Sequence, residues 1–231
     1  ASARLKVLSV EDILKRLEDR FQLLTGGSRT ALPRQQTLRA TVDWSYDLLN
    51  QLERVLFNRL SVFAGGFTLE AAEKVCSGEG VEEYEVLDLL SRLVDKSLVV
   101  AEEGEEGSVR YDLLGTLRQY GSERLRESGE AERVQDCHLD FFLGMAEESE
   151  PELRGSHQVE WLNRLEIEHD NIRAALRWSE ESGDAERGLR LGGTLYFFWG
   201  LHGYWSEEHE WLTGLLALPG ATARTAALAK V

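Results

Sequence analysis

The stretch LSVFAGGFTLEAAEKVC (residues 60–76), followed by VLDLLSRLVDKSLVV (86–100) and VRYDLLGTL (109–117), decides how this chain reads. Asn50 and Glu53 form a capping-box pattern. It opens a helix carrying Leu52, Val55, Leu56, Leu60 and Phe63, which Gly65 and Gly66 break. Thr68 caps a short helix through Val75, and residues 77–80 form a turn. Val86, Leu87, Leu90, Leu93 and Val94 recur at helical spacing and mark a third helix over residues 82–95. Residues 97–101 and 108–112 read as strands joined by the acidic turn EEGEEG (102–107), whose glycines permit a tight reversal. A helix over 113–127 follows, stopped by Ser128 and Gly129.

Just upstream, Leu38, Val42, Tyr46 and Leu49 share one face of a helix over 36–49. Helices leading into a β-hairpin and a closing helix are the order of a winged helix, expected over residues 36–128. Before it, Ser9 and Asp12 cap a helix with Val10, Ile13, Leu14, Leu17 and Phe21 inside, and residues 25–35 form a loop closed by Pro33. After Gly129 every segment reads as helix: 130–150, 157–166, 169–181, 185–201 and 205–217. Turns this short between helices of about a dozen residues predict antiparallel pairs stacked side by side. The fold class expected is therefore mostly α with one small β-hairpin.

Composition narrows the function classes. A chain that is 42% hydrophobic and 29% charged folds rather than staying disordered. Its formal charge of −15 repels nucleic acid and anionic membrane unless the charges are segregated. No apolar run approaches the roughly 18 residues of a membrane span, so no membrane partner is expected. Cys76 and Cys137 sit in no CxxC and make no disulfide framework, which points to a reducing cytoplasm. With no initiator Met and a helical pattern running to both ends, the chain is expected to be a segment of a larger protein.

The strings QTLRATVDWSYDLL (36–49), LFNRLSVFAGGFTLEAAEKVC (56–76), LLSRLVDKSLVV (89–100), YDLLGTLRQYGSERL (111–125) and WLNRLEIEHDNIRAALRW (161–178) carry a family resemblance. Together they resemble the region after the nucleotide-binding domain of bacterial STAND proteins, signal-transducing P-loop ATPases related to NB-ARC proteins, which often carry LuxR-type DNA-binding output domains. The resemblance implies three parts: residues 1–35, the last helix of the ATPase helical subdomain with its linker; 36–128, the winged helix; and 129–231, the start of a tetratricopeptide-like repeat region. It implies a regulatory, coupling fragment of a transcriptional regulator. The partners it implies are the parent's own nucleotide-binding domain and an inducer on the repeats. ATP or ADP is the cofactor implied for the parent. None is expected in this chain, which has no GxxxxGK[ST] and is expected not to be an enzyme. In NB-ARC relatives a Met-His-Asp motif touches the ADP phosphate. Its positions fall on Leu113, Leu114 and Gly115, so the polar sensor is replaced by Leu114.

Other candidates weigh less. DNA binding needs bases on the third helix and wing. Residues 82–96 instead hold Glu82, Glu83, Glu85, Asp88 and Asp95 against Arg92 and Lys96, and the turn adds Glu102, Glu103, Glu105 and Glu106. Direct nucleic-acid binding by this unit is therefore disfavoured. Residues 1–40 carry eight bases against four acids, and Arg29 and Arg34 in the loop are the candidates for an acidic partner or a nucleotide phosphate. His202 and His209 flank a turn and no HExxH occurs, so no metal site is expected. His169 and Asp170 open a helix, where capping outweighs catalysis. The aromatic run Tyr196, Phe197, Phe198, Trp199, Tyr204, Trp205 and Trp211 reads as repeat core, or else as a concave ligand face.

Overall fold

The computed structural model describes residues 33–103 and 109–221. The helix expected within residues 1–24, the hairpin turn, Arg29 and the last ten residues lie outside the described residues.

Helix α1 spans Pro33–Asp47. It starts inside the expected loop because proline's fixed φ suits the first helical position, where no amide donor is needed. Helix α2, Gln51–Leu60, has the expected box: Asn50 Oδ1 accepts from Glu53 N, and Glu53 Oε2 from Asn50 N, both at 2.9 Å. It ends three residues before Phe63. The amides of Ser61, Val62 and Phe63 each bond three residues back, so the chain tightens out of the α-helix there. Phe63 is nonetheless buried. Helix α3, Leu69–Cys76, is capped by Thr68 Oγ1, which accepts from Ala71 N at 3.2 Å.

A 3-10 turn at Glu83–Glu85 precedes helix α4, Val86–Asp95. Its buried face is Val86, Leu89, Leu90 and Leu93. Leu87, expected in the core, lies on the solvent side. Strands β1, Val100–Glu103, and β2, Val109–Asp112, pair antiparallel, with Ala101 opposite Tyr111 and Glu102 opposite Arg110. β1 begins later than read because Ser97 is left-handed (φ 57°) and the amides of Leu98 and Val99 still bond Leu93 O. Phe67 adds a one-residue third strand, exchanging two 2.8 Å backbone bonds with Tyr111. Helix α5, Gly115–Ser128, packs on α2. A Cβ at Gly121 would sit 3.0 Å from Ser61 Cβ and 3.3 Å from Phe57 O, so the two helices approach closely there. Three helices and the hairpin enclose Phe57, Leu60, Phe67, Val75, Leu90 and Leu93.

The helices that follow are α6 (Ala131–Glu152), α7 (Gln158–Ile167), α8 (His169–Ser182), α9 (Ala185–His202) and α10 (Trp205–Leu216). α8, α9 and α10 reverse at Gly183 and Gly203, each at φ 77°, a conformation glycine adopts without a Cβ clash. The resemblance placed Glu208 where a small residue permits close packing. Glycines elsewhere supply the closeness: a Cβ at Gly188 would lie 2.4 Å from Leu215 Cδ2, and one at Gly214 would collide with Glu180. α6 packs on α3 as well as on α8 and α9, so one apolar core runs through the winged helix and the array.

Two buried polar side chains hold that seam. Arg59 has no exposed surface. It donates to Cys76 O (2.9 Å) and Gly78 O (2.6 Å), and pairs with Glu130 Oε1 at 2.6 Å. Burial alone would raise the Glu130 carboxyl, but the guanidinium outweighs it and holds the group below its usual value. His138 of α6 lies between Phe63 and Phe142, ring centroids 5.4 and 4.6 Å away, and its Nε2 has no hydrogen-bond partner among the described residues.

Burial pushes His138 from 6.5 down to about 3, opposed only in part by Asn171. The unfolded chain therefore takes up a proton below pH 6.5 that the folded chain refuses until about pH 3. Stability is expected to fall as pH drops from 6.5 to 5, with His138 contributing up to about 1.4 kcal/mol per pH unit. Urea unfolding of His138→Phe across that window should show a shallower slope.

Candidate functional site

A buried polar constellation lies where the winged helix meets the array. After α2 the chain passes through Phe63, Ala64, Gly65 and Gly66 before Phe67 joins the sheet. Ala64, Gly65 and Gly66 lie in no helix or strand, and a backbone group shielded from water without a partner is costly. Asn171, fully buried on the first turn of α8, supplies the partners. Its Oδ1 accepts from Ala64 N (2.9 Å) and Gly65 N (3.2 Å). Its Nδ2 donates to Gly66 O (2.9 Å) and to Glu168 Oε2 (2.7 Å). That uses both lone pairs and both N–H groups of the amide.

The wing closes the clasp. Arg110, on β2, donates to Gly66 O at 2.7 Å and pairs with the other carboxylate oxygen of Glu168. Arg118, on α5, donates to Ala64 O, to Asp112 Oδ1 (2.9 Å) and to Leu113 O (3.2 Å). A Cβ at Gly66 would stand 3.2 Å from Tyr111 O, so glycine there lets the loop lie against the strand. The strings FAGG (63–66) and EHDN (168–171), read separately in sequence, thus form one joint. Asn171 was not singled out from the sequence. A signal was present: it precedes Ile172 and lies four residues before Ala175, on the buried side of the helix.

The exposed face formed by α4 and the hairpin is acidic. Glu82, Glu83, Tyr84, Leu87, Asp88, Ser91, Arg92, Asp95 and Lys96 are exposed along the 3-10 turn and α4, as are Glu102 and Glu103 on β1. Lys96 is held by Glu53 at 2.6 Å. The base on β2, Arg110, turns to Glu168 rather than to solvent.

Of the three site candidates read from the sequence, the structure places only Leu114 fully. It is 57% exposed at the N-cap of α5, and among the described residues that helix start has no side-chain cap and no acid in its first turn. Arg34 is on the first turn of α1 with its side chain outside the described residues, and Arg29 is outside them altogether. His169 is buried with its Nε2 3.0 Å from Glu207 Oε1, and Asp170 stands in the first turn of α8, where the sequence placed it. Of the aromatic run, Phe198 and Trp199 are core, whereas Tyr196 and Trp205 are more than half exposed. Among the described residues, no group of three His, Cys, Asp or Glu could hold a metal, and no helix is long and apolar enough to cross a membrane.

Residues 49–126 match the winged helix-turn-helix family. The interval runs from the end of α1 through α2, α3, α4, the hairpin and α5. This part of the chain has the winged-helix fold. The whole chain is similar to a "Putative HTH-type transcriptional regulator" of Mycobacterium tuberculosis strain H37Rv and to its Mycobacterium bovis counterpart, each 42% identical over 216 residues, 94% of this chain and 24% of the relative. An "Uncharacterized protein" of the same tuberculosis strain is 47% identical over 135 residues, 58% of this chain and 34% of the relative. The chain thus spans about a quarter of the length of the regulators it matches. No solved structure matches it at a significant level.

Removing the buried amide of Asn171 strands Ala64 N and Gly65 N, and takes one of two side-chain donors from Gly66 O and from Glu168, which keep Arg110. Asn171→Ala is expected to cost about 2–4 kcal/mol, the range for leaving buried polar groups unpaired. Chemical denaturation monitored by far-UV circular dichroism measures it. A loss under about 0.5 kcal/mol, the size of an ordinary surface substitution, would contradict the clasp.

Proposed function

We propose that this chain is the regulatory, coupling unit of a STAND-type signal-transducing ATPase that acts as a transcriptional regulator. The winged helix-turn-helix match and the regulators it resembles support the broader part, transcriptional regulation. The finer part rests on the resemblance of residues 36–125 and 161–178 to the STAND proteins. In this reading the winged helix packs on the parent's nucleotide-binding domain. The helices after Gly129 begin a tetratricopeptide-like sensor for a protein or small-molecule inducer. ATP or ADP binds in the parent, the chain itself performs no chemistry, and the protein works in the cytoplasm.

One observation carries the assignment of a packing role rather than DNA reading. The exposed face of α4 and β1 is dominated by carboxylates, and the strand base that could meet a phosphate is committed to Glu168. Each phosphate contact requires a cation at the contact, and carboxylates there repel the backbone. A second reading, direct DNA binding, is favoured by the domain family itself and by the relatives' printed description.

Fluorescence anisotropy with a mixed-sequence 30-base-pair duplex at low salt separates the two. The expected Kd is weaker than about 100 μM, the weak end of non-specific binding. Micromolar binding that weakens steeply with salt would favour the DNA-binding reading. A second measurement tests the nucleotide alignment. Leu114→His in the full-length protein is expected to slow ADP release, since a donor at the exposed N-terminus of α5 could meet a phosphate. An unchanged off-rate of a fluorescent ADP analogue would sink the alignment of Leu114 with the sensor position.

A further inference from the structure

Residues 166–173, Glu-Ile-Glu-His-Asp-Asn-Ile-Arg, make two sets of contacts from about two helical turns spanning the junction of α7 and α8. Glu168 and Asn171, three apart, face the winged helix and hold Arg110 and the Ala64–Gly66 backbone. Glu166, His169 and Arg173, spaced three and four apart, face the other way, toward the turn between α9 and α10. There Tyr204 Oη donates to Glu166 Oε1 at 2.8 Å. Arg173 forks onto Glu207, Nε at 2.8 Å and Nη2 at 2.5 Å, while His169 Nε2 shares the first oxygen at 3.0 Å. The rings of His169 and Tyr204 lie 4.7 Å apart, and those of His169 and Phe198 5.3 Å apart, with all three packed as one block.

We infer that the first turn of α8 is a mechanical relay. It couples the position of Glu207, at the start of α10, to the loop and strand that set the wing. The two contact sets share a short rigid backbone, so neither can shift alone. Interaction pairs of this kind couple sites through packed groups with defined geometry. Glu207 is well placed as the input. Burial alone would raise its carboxyl, and the Arg173 hydrogen bonds outweigh that and lower it, so the pair is formed and charged at neutral pH. α10 also carries the exposed apolar residues Trp205 and Leu216, so a change in what covers that helix acts directly on Glu207. The output is the Ala64 and Gly65 amides bound to Asn171, with the Phe67–Tyr111 pair next in line. The relay is a property of the fold. It stands whether the winged helix meets DNA or protein.

Native-state hydrogen exchange of the whole chain tests it. Glu207→Gln keeps the side-chain volume and weakens the fork to Arg173. The amides of Ala64, Gly65 and Tyr111 should then exchange about tenfold faster, the factor for a coupling near 1.4 kcal/mol. The Phe57 amide, deep in α2, should stay within about twofold, as expected for a site with no shared partners. Arg173→Lys, which keeps the charge but loses the fork, should accelerate the same amides by less. Coupling is reciprocal, so Glu168→Gln should loosen the Glu208 amide, which bonds Tyr204 O. Arg190→Ala, which breaks only the surface pair with Glu147, should leave all of them unchanged. Two results would overturn the relay. In one, Glu207→Gln speeds exchange in α10 and leaves Ala64 and Gly65 as in the wild type. In the other, every amide including Phe57 accelerates alike, which marks general destabilisation.

Discussion

The fully satisfied amide of Asn171 is the interaction on which the arrangement of this molecule depends. A loop between a helix and a sheet carries polar backbone that water would normally satisfy. Here the loop at Ala64–Gly66 is covered by α8, and one buried side chain meets its backbone groups. Glu168, itself nearly buried, accepts from Asn171 with one oxygen and from Arg110 with the other, so the wing is tied to the same point. A partly satisfied network at this depth would be worse than an apolar one. The closure of all four bonds of the Asn171 amide is what allows the winged helix and the array to share a core.

Arg59 plays a parallel part on the far side of α2. A buried guanidinium is expensive unless its donors are met. Here three backbone carbonyls and Glu130 meet them. The turn after α3 and the start of α6 are thereby fixed to α2. With α6 lying on α3, α8 and α9, the helices after Gly129 continue the winged-helix core instead of hanging from a linker.

Local chemistry made much of this legible in the sequence. The Asn50–Glu53 box, the Thr68 cap and the glycines at 129, 183 and 203 placed helix ends within one or two residues, because such signals act within a turn of the chain. What stayed hidden depends on contacts distant in sequence. Leu87 fits an apolar stripe on paper, but the buried face of α4 runs through Val86, Leu89, Leu90 and Leu93 and leaves Leu87 on the solvent side. Ser97 gave no sign of the left-handed step that delays β1. Arg110 drew no notice in the sequence, and its partner Glu168 lies 58 residues away. Asn171 read as an unremarkable polar residue in a helix, and its role exists only once α8 is laid against the loop. For the candidate site the sequence supplied both strings, and packing alone supplied their meeting.

The acidic hairpin has a consequence beyond partner choice. In the small sheet β2 lies between Phe67 and β1, so β1 has one side with no strand beside it among the described residues. An open strand edge is a template on which another chain can add itself. Glu102 and Glu103 place carboxylates on this short edge, and a second copy approaching in the same way would bring like charges together. Acidity at the hairpin therefore also acts as protection against self-association, keeping the strand edges of neighbouring copies apart in a crowded solution.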